Sequence, residues 1–311
     1  MCALLPRSPP SGQRWLSEVT ARIVVFGDVI DDILVVPSGP IRNDTDTPSS
    51  ISQRAGGSAG NVASWLARQG VEVDFVGRVA TSDVVRHSEV FAGYGVAAVL
   101  TGDDQWPTGT IVVIVEGDSR SMLTDRGAND QFSADQVTDA LLDQAGLVHF
   151  TGYSIYHGEH REAIARLFER AAARGVTVSV DPASAGSLVD FGVERFLGLV
   201  AGAGVLLPNL DEGRVLTGLD DPSAMADALG KRFPVVALTM GNAGVIVAER
   251  GKPLVRVDAI RAERVDPTGA GDAFSAGFLA EWVRSGDAVA AAKVGVVVAA
   301  EAVTSVGARP R

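Results

Sequence analysis

The sequence predicts an α/β fold in which helices cover a mostly parallel central sheet. Three observations point there. Short β-branched runs alternate with longer stretches of helical period, the pattern of a layered α/β sandwich. Several of these runs are apolar throughout, as strands buried on both faces must be. The chain has 311 residues, 46% hydrophobic and only 21% charged, which is enough for one large core with or without a small accessory unit.

Taken in chain order, strands are expected at 22–26, 71–76, 111–115, 147–150, 176–180, 205–207, 235–238 and 245–248. Ser133 opens a helix, with Gln136 three residues on as its capping-box partner. The stretch 159–174 places Ile164, Leu167, Phe168 and Ala171 on one helical face and stops at Gly175. An Ala-rich helix follows a glycine turn near residue 270 and runs to about Ser285. Two stretches break the rhythm. Residues 34–55 contain three prolines and no helical period, and 106–124 read as two strands around a turn at 116–119. They form either surface hairpins or a small β lid over a site. Residues 1–20 read as a loose tail.

Charge and cysteine content exclude several classes. The 27 basic against 38 acidic residues give a net charge of −11, where a nucleic-acid binder needs a basic stripe to displace counterions. The same balance argues against anionic membranes. Cys2 stands alone, so neither a disulfide framework nor a thiolate metal cluster can form within one chain. The apolar run at 3–5 is too short for a signal peptide or a span, and the expectation is a soluble cytoplasmic protein.

The most informative segment is Asp266-Pro267-Thr268-Gly269-Ala270-Gly271-Asp272-Ala273-Phe274, a glycine turn running straight into a helix. A helix N-terminus exposes unpaired N–H groups and a partial positive charge, so a bare turn here can cradle phosphate oxygens. Gly269 and Gly271 let an anion approach the backbone. Asp272, in the first turn, can accept a proton from an attacking hydroxyl. Upstream, Gly56-Gly57-Ser58-Ala59-Gly60-Asn61 opens another helix, where Asn61 offers both a donor and an acceptor. The same string satisfies the Gly-x-Ser-x-Gly elbow of a serine hydrolase built on Ser58. That chemistry needs a later histidine, and the four present (His87, His149, His157, His160) leave the final half of the chain without one. His157-Gly158-Glu159-His160 has too little helix around it for a zinc motif. Neither a Walker-type phosphate loop nor a dinucleotide fingerprint occurs.

As a nine-residue string, Asp266 to Phe274 resembles the C-terminal signature of the ribokinase-like, or PfkB, family of carbohydrate kinases. The segment Gly56 to Asn61 looks like the family's N-terminal signature. Gly27-Asp28-Val29-Ile30-Asp31-Asp32 places an aspartate, Asp32, five residues after a glycine, where the family binds sugar hydroxyls. Pro107-Thr108-Gly109-Thr110, Arg126-Gly127-Ala128-Asn129, Asn209-Leu210-Asp211-Glu212, Gly241-Asn242-Ala243-Gly244 and Gly307-Ala308 are similar to further family segments, in the same order.

The resemblance implies a three-layer α/β/α core over 21–311, with a discontinuous β lid drawn from about 33–57 and 105–126. It implies ATP-dependent transfer of phosphate to a hydroxyl of a sugar or sugar-like molecule. Asp272 is then the general base and the Gly269-Ala270-Gly271 backbone the anion hole. Asp32, Gly56, Gly57, Asn61 and Asp272 hold the acceptor; Asn209, Thr239, Gly241, Gly244 and Gly271 hold the nucleotide. Glu212 serves Mg²⁺ through water, Asp266 and Thr268 a monovalent cation such as K⁺, and the lid a homodimer. A nucleoside kinase of the same fold is the alternative, with a non-catalytic sugar or nucleotide sensor behind it. Three departures bear on substrate. The segment 181–186 lacks the Arg that pairs a substrate carboxylate in some members, which disfavours an acidic sugar. No acid stands at Gly152 or Tyr153, where ribokinases bind sugar, and Ser58 replaces a frequent Lys.

Overall fold

The computed structural model describes residues 22–116, 119–157 and 161–311. The expected tail at 1–20 lies outside the described residues, as do the tip of the 116–119 turn and Gly158, Glu159 and His160. In chain order the strands are β1 (Arg22–Phe26), β2 (Ile30–Pro37), β3 (Ser49–Gly56), β4 (Glu72–Ala80), β5 (Ala97–Asp103), β6 (Gly109–Glu116) and β7 (Ser119–Asp125). They continue as β8 (Leu147–Thr151), β9 (Thr177–Asp181), β10 (Val205–Leu206), β11 (Val235–Thr239), β12 (Val245–Glu249) and β13 (Val255–Val257).

The large sheet has the order β13-β12-β11-β10-β9-β8-β1-β4-β5. Pairings from β5 to β11 are parallel, while β12 pairs antiparallel with both β11 and β13. The sheet splits the core in two because successive side chains face opposite ways. Ile23 and Val25 of β1 join one apolar cluster, while Val24 and Phe26 join the other. Helices Ser58–Arg68, Ala270–Ser285 and Ala288–Ala302 cover the first face; Glu162–Ala172, Val193–Leu199 and Pro222–Gly230 cover the second. The result is the expected three-layer α/β/α arrangement.

Four strands build a separate sheet in the order β3-β2-β6-β7. The 34–55 stretch is thus an antiparallel hairpin of β2 and β3. Its prolines suit this: Pro37 closes β2, Pro40 lies in the connection and Pro48 just precedes β3, so no inner rung loses its donor. The run at 111–115 belongs to this small sheet and not to the core.

Other expectations need correction. The capping box of Ser133 and Gln136 forms, but it closes only a 3₁₀ turn, Ala134–Gln136. Val137 turns extended straight after it, and a one-turn helix Asp139–Leu142 follows. The helix expected over 159–174 is defined from Glu162 to Ala172, and Phe168 is half-buried where its three companions are buried. β5 was not anticipated; its exposure alternates irregularly, and pairing with β4 makes it a strand.

Phe26 ends β1 with its ring stacked on Phe150 (4.7 Å between centroids) and Phe132 (5.5 Å). We expect Phe26→Ala to lower stability by about 3–5 kcal/mol, read as a lower urea midpoint with an unchanged slope.

Candidate active site

In a parallel sheet the strand ends that carry carbonyls leave a crevice where loops can converge. Here β1 delivers Gly27 and Asp28, β8 Gly152, β9 Asp181, β10 Asn209 and β11 Thr239 to one end. The helix Ala270–Ser285 points its N-terminus into that crevice. Gly269 caps it with φ 78°, and no side chain takes the capping bond. A Cβ at Gly269 would lie 2.7 Å from Ala308, so both the left-handed conformation and the close approach require glycine. A Cβ on Gly271 would meet nothing. The turn therefore stays bare, as an anion cradle must.

Asp272 sits in this first turn. Its Oδ1 accepts from Ser58 Oγ at 2.6 Å and its Oδ2 from Asn61 Nδ2 at 2.8 Å. Both donors lie on the first turn of the helix Ser58–Arg68, three residues apart and so on one face. Burial pushes the Asp272 carboxyl up to about 7; the two hydrogen bonds pull it down, and the charges of Asp181 and Asp28 push it up further.

The two glycines before Ser58 let Asp28 and Asp32 lie close against the start of its helix. A Cβ on Gly56 would fall 2.2 Å from the Asp32 carboxylate, and one on Gly57 would fall 2.4 Å from the Asp28 carbonyl. Asp28, Asp32, Gly57 and Ser58 line a cavity of about 1010 Å³ beneath the small sheet, whose Leu34, Val113 and Met122 also face it. Burial pushes the Asp32 carboxyl up to about 6, against the pull of Arg309. Asp31 instead forms a two-pronged ion pair with Arg86 at 2.8 and 2.7 Å. Tyr153, in place of an acid, lines the same cavity.

On the other side of Asp272 a cleft of about 160 Å³ is lined by the Gly269–Gly271 turn, Asp181, Asn209 and Glu212. Asn209 and Glu212 form a reciprocal capping box on the helix Leu210–Thr217. Glu212 is only 1% exposed. Burial raises its carboxyl and that of Asp181, and the Asp181 charge adds to the rise at Glu212. Beyond lies a third cavity of about 320 Å³, with Thr239, Gly241, Gly244, Ile260, Phe274 and Val296 on its walls. Asp266 lines the large cavity under the small sheet. It accepts from Thr268 N (3.0 Å) and Oγ1 (2.7 Å), from Gly307 N (3.1 Å) and from Arg120 Nη2 (3.3 Å).

The two lid-related segments also meet: Ala128 N donates to Pro107 O at 2.7 Å, and Asn129 brackets Val29 through its N–H and C=O. Several residues at the site were missed from the sequence. Ser58 was weighed as a hydrolytic nucleophile, yet its hydroxyl donates to a carboxylate. Asp181 was read only as lacking an arginine neighbour. Arg120 and Arg309 carried no local signal, because their partners lie 146–253 positions away. Among the described residues no cluster of three or more His, Cys, Asp or Glu can hold a metal by itself, and no helix is long and apolar enough to cross a membrane.

Comparison with known proteins agrees with this geometry. Residues 20–311 match the family described as pfkB family carbohydrate kinase. The chain is 28% identical to an uncharacterized sugar kinase of Archaeoglobus fulgidus, across 78% of this chain and 96% of that one. It is 32% identical to an ATP-dependent ribose-1-phosphate kinase of Halopiger xanaduensis, across 76% and 75% of the two. The adenosine kinase of Sinorhizobium meliloti superposes with a TM-score of 0.83 at 25% identity, covering 94% of this chain and 96% of that one.

Gly269→Ala should lower stability by about 1–2 kcal/mol from the left-handed backbone alone, with the contact to Ala308 adding to it. Calorimetric titration with ATP should show weakened binding; wild-type affinity would remove the turn from the phosphate site.

Proposed function

The chain belongs to the pfkB family of carbohydrate kinases, and on that premise we propose that Asp272 is the base through which it phosphorylates a hydroxyl of a sugar or nucleoside. The observation that carries this is one carboxylate in the first turn of an uncapped helix, lining a phosphate-sized cleft and bonded to Ser58, which also lines the larger cavity under the small sheet. Ser58 and Asn61 hold both of its oxygens, so it can take a proton only along the direction left open. The acceptor lies under the small sheet, with Asp32 and Asp28 receiving its neighbouring hydroxyls. Its reacting oxygen gives its proton to Asp272 as it attacks the terminal phosphorus of ATP in line, and the bond from that phosphorus to the bridging oxygen breaks so that ADP leaves. The amides of the Gly269–Gly271 turn meet the charge on the transferring group.

ATP spans the cleft and the third cavity, its base among Ile260, Phe274 and Val296 and its phosphates below Asn209 and Thr239. The paired carboxyls of Asp181 and Glu212 are hard oxygen donors of the kind Mg²⁺ selects, and both line that cleft. When bound there, Mg²⁺ neutralises phosphate charge; Glu212 reaches it through water, since Asn209 already takes both of its oxygens. Asp266 and Thr268, expected to hold a monovalent cation, are both engaged by the Arg120 guanidinium, which a cation would have to displace, and the small sheet acts as a lid that keeps water from the phosphate.

A nucleoside acceptor is the second reading, favoured by the aliphatic underside of the small sheet. Leu34, Val36, Val113, Val115 and Met122 give a nucleobase an apolar ceiling that a free pentose leaves unfilled. A coupled ADP-release assay across sugars, sugar phosphates and nucleosides, with and without K⁺, separates the two. A protein that binds these ligands without releasing ADP is a sensor.

Asp272→Asn should fold and bind ATP normally while turnover falls on the order of 10²–10⁴-fold. Near-normal turnover would overturn the assignment. The base works only when deprotonated, so kcat/KM should fall as pH drops through about 7. Ser58→Ala removes a bond that favours the ionised form, so this acid limb should move to higher pH.

A further inference from the structure

Arg309 is buried, with 8% of its surface exposed, yet its hydrogen bonds go to neutral oxygens: Nη2 donates to Gly56 O at 2.8 Å and Nε to Asn61 Oδ1 at 3.2 Å. Nη1 has no partner. The guanidinium lies over the rings of Phe91 (5.1 Å) and Tyr94 (5.7 Å). The two residues before it are held in place, since Trp65 Nε1 donates to Ala308 O at 2.9 Å and Gly307 N to Asp266. A Cβ on Gly60 would come within 2.7 Å of Nη2, so the helix Ser58–Arg68 leaves room for this one side chain.

A guanidinium taken out of water without a carboxylate partner is expensive, and an apolar side chain of similar size fills such a space at lower cost. Something other than packing keeps the charge there. Asn61 shows what. An amide can turn over, exchanging its oxygen and nitrogen. With Arg309 donating to Oδ1, Nδ2 is fixed toward Asp272; with the amide reversed, an oxygen lone pair would face the carboxylate.

We propose that Arg309 is a positioning residue for phosphoryl transfer: it sets the Asn61 amide so that the amide orients the Asp272 carboxylate. The inference rests on Asp272 being the base. The groups facing that base are Ser58 and Asn61 from one helix, Asp28 after β1, Asp181 at the end of β9, and Arg309 itself; Asp32 completes the charged surroundings of Arg309. Removing the cation and freeing the amide act in the same direction, since both raise the proton affinity of Asp272.

A double-mutant cycle tests this with Arg309→Met, Asn61→Ala and the pair, each checked by thermal unfolding and by ATP titration. Arg309→Met should lower kcat on the order of 10- to 100-fold, leave the KM for ATP unchanged and move the acid limb of kcat/KM to higher pH. In the Asn61→Ala background the same change should cost little more in kcat, because the two residues act in series. Should Arg309→Met fail to fold, Arg309→Lys carries the same cycle: it keeps the charge and loses the fork that grips Oδ1. Fully additive losses, or an acid limb that stays at the wild-type pH, would overturn the role of Arg309. Asp272→Asn is run in parallel. If that variant turns over, the base itself falls; if it is dead while the cycle is additive, only Arg309 does.

Discussion

Carboxyl groups gathered in a cleft repel one another and resist losing water, and Asp28, Asp32, Asp181, Glu212 and Asp272 all line this cleft or the cavity beside it. The surrounding structure answers that constraint. The bare helix end contributes partial positive charge near Asp272. Ser58 and Asn61 supply donors that favour its ionised form, and Arg309 places a full charge behind them. Burial raises the carboxyls of Asp181 and Glu212 as it raises those of Asp32 and Asp272, but among the described residues no cation stands beside Asp181 and Glu212. That difference divides the cleft into a part satisfied by the protein and a part suited to an incoming cation.

The glycines follow from the same constraint. Gly56 and Gly57 let two carboxyl-bearing segments lie against the backbone that begins the helix of Ser58 and Asn61. Gly269 lets the opposite helix begin without a cap, hard against the C-terminal segment. Each helix N-terminus then serves the other: one presents donors, the other the group that needs them. The wall of the large cavity is a different kind of structure, a four-stranded sheet with aliphatic side chains lining it, joined to β1 of the core by the short loop that carries Asp28 and itself bearing Asp32 on β2.

Much of this was legible in the sequence because it is local. Buried parallel strands show as continuous apolar runs, and the glycine turn at 269–271 announces itself within nine residues. The capping box at Ser133 was also correctly paired, yet the helix it announces stops after one 3₁₀ turn, because a cap cannot extend a segment whose next residue goes extended. β5 was invisible for the converse reason: its identity comes from the neighbour it pairs with. The hairpin at β2 and β3 was obscured by prolines that turn out to sit at its ends. Ser58 stood within a recognised motif but suggested the wrong chemistry until its partner came into view. Arg309 had no signature, since an arginine near the end of a chain reads as solvated unless the rings beneath it are known.

One feature of the wiring bears on how the molecule comes into being. The donors to Asp272 lie 211 and 214 positions upstream, and Arg309 reaches back 248 and 253 positions to Asn61 and Gly56. A chain emerging from the ribosome therefore exposes its acceptor-side residues long before the rest of the centre has been synthesised. Such widely separated partners can join only late in folding. Until the segment around Arg309 docks, the oxygens of Asn61 and Gly56 lack the guanidinium that donates to them.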